Sequence, residues 1–222
     1  MEIFAIGVII IAVIFFVINH KVKKVQQLNY IERYRFQNAL KMKVSKKYPQ
    51  LDREQLKLVF EGLRDYFWMC HKANSQMVAM PSQVVDDAWH EFILFTRAYS
   101  QFCKMAIGQF LHHTPTEAMK SSTDATEGIK RAWRLACARE EINPKYPAQL
   151  PLIFAIDTML DIPNGFRYVL DCKENKFGDG YCASHIGCSS GCAGSSGASS
   201  CSSDSGGSNC GSSCGGGCGG GD

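Results

Sequence analysis

The chain has little excess charge of either sign. Its 24 basic and 21 acidic residues leave a formal +3 over 222 residues. That surplus is too small for a nucleic-acid-binding surface, and no basic stripe with interleaved aromatics compensates for it, so nucleic acid is not an expected partner. The sequence also lacks a glycine-rich loop running from a strand into a helix, which excludes the common phosphate cradles of nucleotide enzymes. No H-E-x-x-H pair of the zinc-protease kind occurs.

The N-terminal run lacks something too. From Ile3 to Ile18 every residue is apolar or glycine, with no polar stripe such as a buried core helix would show. A cleaved signal peptide would place basic residues before the run and a small-x-small site after it; here Glu2 precedes it and "FFVINH" follows. Residues 1–20 therefore read as an uncleaved transmembrane signal anchor, inserted through residues 3–18, with Asn19 and His20 at the interface. Lys21, Lys23, Lys24, Arg33 and Arg35 follow the run closely. Basic residues stay on the cytoplasmic side, so the expected location is the cell inner membrane, single-pass, with the C-terminal body cytoplasmic. In that reducing compartment the eleven cysteines are expected as free thiols or metal ligands rather than disulfides.

Helical signals fill the body. Residues 21–49 read as a juxtamembrane helix ended by Pro49, followed by a helical domain over 50–180. Asp52 with Gln55 three residues on forms a capping-box pattern, and Leu56, Val59, Phe60, Leu63, Phe67 and Cys70 recur at helical spacing. Ser82 caps a second helix over 82–105, with Val85, Trp89, Phe92, Ile93, Thr96, Tyr99 and Cys103 on one face and Gly108 closing it. Thr114, Pro115 and Glu117 mark another helix start, and residues 124–141 a further helix around Ile129, Trp133 and Cys137. "LPLIFAIDTMLDIPNGFRYVLDC" divides into a short buried helix and, after the Pro163-Asn164-Gly165 turn, an extended piece. Residues 183–222 collapse into Gly, Ser and Cys with nothing to bury, a disordered tail. The expected fold class is mainly α: a transmembrane helix, a helical cytoplasmic domain and a flexible tail.

The residues best suited to chemistry lie in "PSQVVDDAWHEFILFTRAYSQFC". Asp86 and His90 are one helical turn apart at the edge of the stripe that carries Trp89, so the carboxylate can hold the imidazole in one tautomer. His112 and His113 precede a helix start, where the dipole disfavours protonation, and metals bind neutral imidazole. Two histidines and a carboxylate suit zinc or iron with a position left open. The plainer reading makes Asp86 and His90 a hydrogen-bonded border pair that orients the helix. Cys70, Cys103 and Cys137 fall on apolar faces and read as core. On a continuous helix Cys103 would lie roughly 20 Å from His90, which rules out a nucleophilic pair. Near the C-terminus Cys182, His185, Cys188 and Cys192 are spaced closely enough to wrap one Zn²⁺ or Cu⁺, though Ile186 is almost the only apolar residue to pack around it.

The pattern PSxxVDxAWHxFxLxTxxYxxFC, followed by a glycine and "LHHTP" at 111–115, resembles the bacterial branch of the glycine-rich domain-containing protein-like family. Residues 150–172 resemble its second shared block. The resemblance implies a glycine-rich extension and directs attention to Asp86, Trp89 and His90, without assigning them to folding or to chemistry. The leading expectation is a membrane-tethered binding or scaffold module of unknown partner, its contact surface at the edge of the 82–105 helix near His90. The alternative is a metal-dependent enzyme or metal-handling protein using Asp86, His90 and His112 or His113, with the tail thiols as a second metal site.

Overall fold

A computed structural model describes residues 2–113, 122–170, 181–183 and 186. Among these the chain forms seven helices and one pair of short strands. α1 (Glu2–Arg33) begins with the apolar run, whose side chains from Val8 to Ile18 are exposed. This helix is long and apolar enough to cross a membrane. Its last turns belong to the folded body, where Gln27 and Ile31 are buried.

The juxtamembrane segment is not one helix. α1 stops at Arg33 and α2 spans Asn38–Lys47, separated by a non-helical step that turns two aromatic rings into the core. Tyr34 packs 4.6 Å from Phe102, and Phe36 packs 5.1 Å from Phe60, measured between ring centroids. A straight helix would have placed these rings on different faces, and burying both outweighs the lost turn of backbone hydrogen bonds. Leu40, Val44 and Tyr48 continue the same core, so α2 is part of the body.

α3 (Arg53–Lys72) is the central element, packed against α1 and α2 and against three later helices of the body. Its start is the expected capping box: the Asp52 carboxylate accepts from the amides of Glu54 and Gln55 at 2.8 Å, while the Asp52 amide donates to the Gln55 side chain. Its buried stripe, Val59, Phe60, Leu63, Tyr66, Phe67 and Cys70, closely follows the expected spacing.

The 82–105 segment breaks in the middle. α4 (Gln83–Leu94) ends at Phe95, whose φ of −81° and ψ of 58° leave the helical region, and α5 (Thr96–Ala106) starts afresh. Neither glycine nor proline marks the break. It allows Phe92, Tyr99 and Phe102 to converge on one cluster, Phe92 lying 5.3 Å from Tyr99 and 5.5 Å from Phe102. Gly108, at φ +90°, closes α5 as expected.

α6 (Ser122–Arg139) and α7 (Leu152–Met159) complete the body, and β1 (Tyr168–Val169) pairs in parallel with β2 (Tyr181–Cys182). The short buried helix and the extended piece expected from 150–172 are both present. The expected helix start at Thr114–Glu117 lies outside the described residues, as does the expected tail at 183–222 apart from Ala183, which is buried, and Ile186, which packs against the core.

Candidate metal centre

The site grows from the first turn of α4. Ser82 caps it, its hydroxyl accepting from the Val85 amide at 3.2 Å. The same hydroxyl donates to Asp157 Oδ1 at 2.7 Å, and Asp157 further accepts from the amides of Gln83 (2.6 Å), Val84 (3.2 Å) and Phe166 (2.9 Å). A buried carboxylate on α7 thus gathers three otherwise unpaired groups at the positive end of α4 and ties in the chain after the Pro163–Gly165 turn. Gly165 is required there, because a Cβ would come within 2.8 Å of the Asp157 Cβ. Nothing in the periodicity of the sequence singled out Asp157.

One turn later α4 presents Asp86, Asp87, Trp89 and His90. Trp89 is buried, its ring 5.0 Å from Tyr66 and 4.6 Å from His113. Its indole N–H donates to the Tyr99 hydroxyl at 3.1 Å, and that hydroxyl donates to the Leu111 carbonyl at 2.5 Å. This relay fixes the segment after Gly108 across the top of Trp89 and brings His113 to α4.

Asp86 meets both histidines. His113 Nε2 lies 3.0 Å from Asp86 Oδ1, and His90 Nδ1 lies 3.6 Å from Asp86 Oδ2. The two imidazole rings are 4.2 Å apart between centroids. One ligand atom from each of Asp86, His90 and His113 falls within 4.8 Å of the other two. The short contact of Asp86 is therefore with His113, 27 residues away, rather than with His90 on its own helix, which corrects the border-pair expectation. His112 does not join: its ring lies 4.8 Å from Phe110. His113 and Asp86 are mostly covered, whereas the His90 side chain is 48 % exposed, so the trio opens to solvent through His90.

A second carboxylate backs the first. Asp87 is buried, 2.7 Å from Lys47 Nζ and 4.0 Å from His90 Nδ1, and accepts a hydrogen bond from the Tyr48 hydroxyl. Burial, and then that hydrogen bond to Asp87, push the Tyr48 hydroxyl well above the ordinary phenol range, so it remains a donor. Tyr48 and Lys47 escaped the sequence reading, and Tyr99 entered it only as part of the apolar face, because their partners lie on other elements. An i, i+4 search cannot find them.

The remaining candidates separate from this centre. Cys70, Cys103 and Cys137 are free and buried, as expected of core thiols. Cys182 differs from the expectation of free thiols: it is disulfide-bonded, and a sulfur so engaged is not a thiolate ligand. His185, Cys188 and Cys192 lie outside the described residues.

The family model for UCP032817-like proteins matches residues 26–186, well over half of the chain, and the chain belongs to that family. No curated protein and no solved structure matches it.

Proposed function

We propose that this member of the UCP032817-like family is a membrane-tethered helical domain that binds one divalent transition-metal ion through Asp86, His90 and His113. The observation that carries the reading is the convergence of three ligand atoms, from two elements, within 4.8 Å. Bonds to zinc or iron of about 2.0–2.2 Å place adjacent ligand atoms roughly 3–3.5 Å apart. The Asp86–His113 separation of 3.0 Å already matches, and the exposed His90 ring is the one free to close. Two imidazoles and one carboxylate leave coordination positions for water or a substrate, facing the solvent side where His90 lies. Asp87, held by Tyr48 and ion-paired with Lys47, lies 4.0 Å from His90 Nδ1, where it can orient the ring.

The anchor reading rests on the apolar half of α1, and the basic residues that follow it favour a cytoplasmic body at the inner membrane. The resemblance of residues 81–115 and 150–172 to bacterial glycine-rich domain-containing-like proteins is the finer family assignment we favour.

A second reading, a scaffold module docking a partner along α4, is favoured by one observation. Leu94 is 66 % exposed one turn beyond His90, giving that face both an apolar and an ionisable contact.

The deciding experiment is elemental analysis of the full chain, purified in detergent without chelators, beside His90→Ala and His113→Ala. About one equivalent of zinc or iron, lost in both variants, is the expected result. A metal-free chain that also fails to take up added zinc would return the trio to a hydrogen-bonded brace and leave the scaffold reading.

A further inference from the structure

Where α1 leaves the apolar run it forms one wall of a cavity of about 210 Å³, closed by the C-terminal ends of α3 and α5. Its walls include His20, Lys23, Lys24, Gln27, His71 and Asn74 and, among the described residues, no carboxylate. Among the described residues neither Lys23 nor Lys24 is in an ion pair. Lys24 donates instead to the neutral Asn74 Oδ1 at 2.7 Å. Beside them Gln109 Nε2 donates to Ser75 Oγ at 3.0 Å.

His71 is buried at the back of this group. Its Nε2 lies 3.2 Å from Gln27 Oε1, and its Nδ1 has no partner. Burial, followed by the charges of Lys24 and Lys72, pulls its pKa down to about 4. The wall is built closely: a Cβ on Gly108 would come within 2.9 Å of Gln27 Nε2, the amide that positions His71. Two full positive charges, several neutral donors and a buried imidazole with one unpartnered nitrogen, with no acid among the described lining residues, make a cavity short of an anion. The partial negative charge of two helix C-termini, about half a unit each, offsets this only in part.

Depth identifies the kind of anion. Lys23 and Lys24 follow Ile18 by five and six residues, about 7–9 Å along a helix axis. The polar layer on each side of a bilayer is roughly 5–8 Å thick. With the apolar run in the membrane, both ammonium groups stand at the level of the lipid phosphates. This step rests on the membrane reading of α1 given above.

We propose that this cavity binds a phosphate ester, presented by the headgroup of a membrane phospholipid. Lys23 and Lys24 take the phosphate charge, and the His71 ring, relieved of its uncompensated cationic surroundings, forms the inner boundary.

The test uses the full chain in detergent micelles, titrated separately with dioctanoyl phosphatidylglycerol and with glycerol 3-phosphate. Binding is read by native mass spectrometry and by the His71 imidazole NMR signals. The lipid is expected to bind saturably and to shift the His71 signals. Lys23→Gln/Lys24→Gln should weaken it roughly tenfold or more, since each lysine near a lipid surface contributes on the order of a fivefold factor. Lys46→Gln/Lys57→Gln, remote from the cavity, should leave it unchanged. Glycerol 3-phosphate binding as tightly as the lipid would support the phosphate site and make its source a soluble ester. Absence of saturable binding by both ligands, binding indifferent to the Lys23/Lys24 pair, or binding without a His71 shift would overturn the proposal. Flotation of the chain with neutral-lipid vesicles tests the anchor independently: a chain that does not float refutes the lipid source even where glycerol 3-phosphate binds.

Discussion

Replacing Asp157 by asparagine changes one oxygen to an NH₂ group and leaves volume and shape almost unaltered, so its cost reports the carboxylate alone. In the native chain Oδ1 serves the Ser82 hydroxyl and the Val84 amide, and Oδ2 serves the Gln83 and Phe166 amides. An asparagine oxygen can keep one of these pairs. Its NH₂ then faces the other pair, donor against donor, and those groups are buried without an acceptor. Each lost hydrogen bond to a charged acceptor is worth about 1.5–3 kcal/mol, and partial rearrangement reduces the sum, which gives about 3 kcal/mol for the substitution. For a folded body of this size that corresponds to a fall in Tm of about 6–12 °C. The assay is thermal unfolding of the full chain in detergent followed by near-ultraviolet circular dichroism, which reports the buried tryptophans. Ser82→Ala removes one donor and the α4 cap, and should cost about 1–2 kcal/mol. If Asp157→Asn melts within a degree or two of the parent, the carboxylate does not organise α4, and the account of how Asp86 and His90 are positioned fails with it.

Three other outcomes are expected. Tyr99→Phe removes the hydroxyl between Trp89 Nε1 and the Leu111 carbonyl; it should cost about 1–3 kcal/mol and weaken zinc uptake at His113, and unchanged uptake would dissociate that relay from the site. Cys70 and Cys137 are pushed up to about 12, chiefly by burial, so they should resist alkylation at pH near 8 until the chain is denatured, as counted by intact mass; rapid labelling of either under native conditions would contradict their placement. His71 is held at about 4 in the folded chain against 6.5 for the free side chain, so between these values the unfolded chain binds a proton that the folded chain does not. Its contribution to stability is therefore full above about 6.5 and is lost as the pH falls towards 4. His71→Gln should show a shallower decline in Tm over that interval, and parallel curves would refute the assignment.

Local signals in the sequence translated well. The Asp52–Gln55 box, the Ser82 cap, the Gly108 closure and the split of 150–172 into helix and extended chain each depend on residues a few positions apart. What escaped was decided by distant partners. The breaks at 34–37 and at Phe95 carry no glycine or proline, because the aromatic cluster around Phe92 and Phe102 is what repays them. The choice between His112 and His113 was likewise undecidable locally: adjacent residues on one segment point apart, and only the Tyr99–Leu111 hydrogen bond sets which one meets Asp86. Asp157, 75 positions from Ser82, had no sequence signature at all.

α1 runs without interruption from the exposed apolar run to residues buried in the body. Nine helical steps, about 13–14 Å, separate Ile18 from Gln27, and the helix is unbroken between them. With the apolar run held in a bilayer, as proposed, a domain on such a stiff mast would not sweep a hemisphere above it as one on a glycine-serine leash would. It would tilt and rotate with its anchor, so that the Asp86–His90–His113 opening would travel at one height and face one direction relative to the lipid surface. In that arrangement a ligand of the opening would have to be presented in that thin layer, and changes in bilayer thickness that tilt the anchor would re-aim the site.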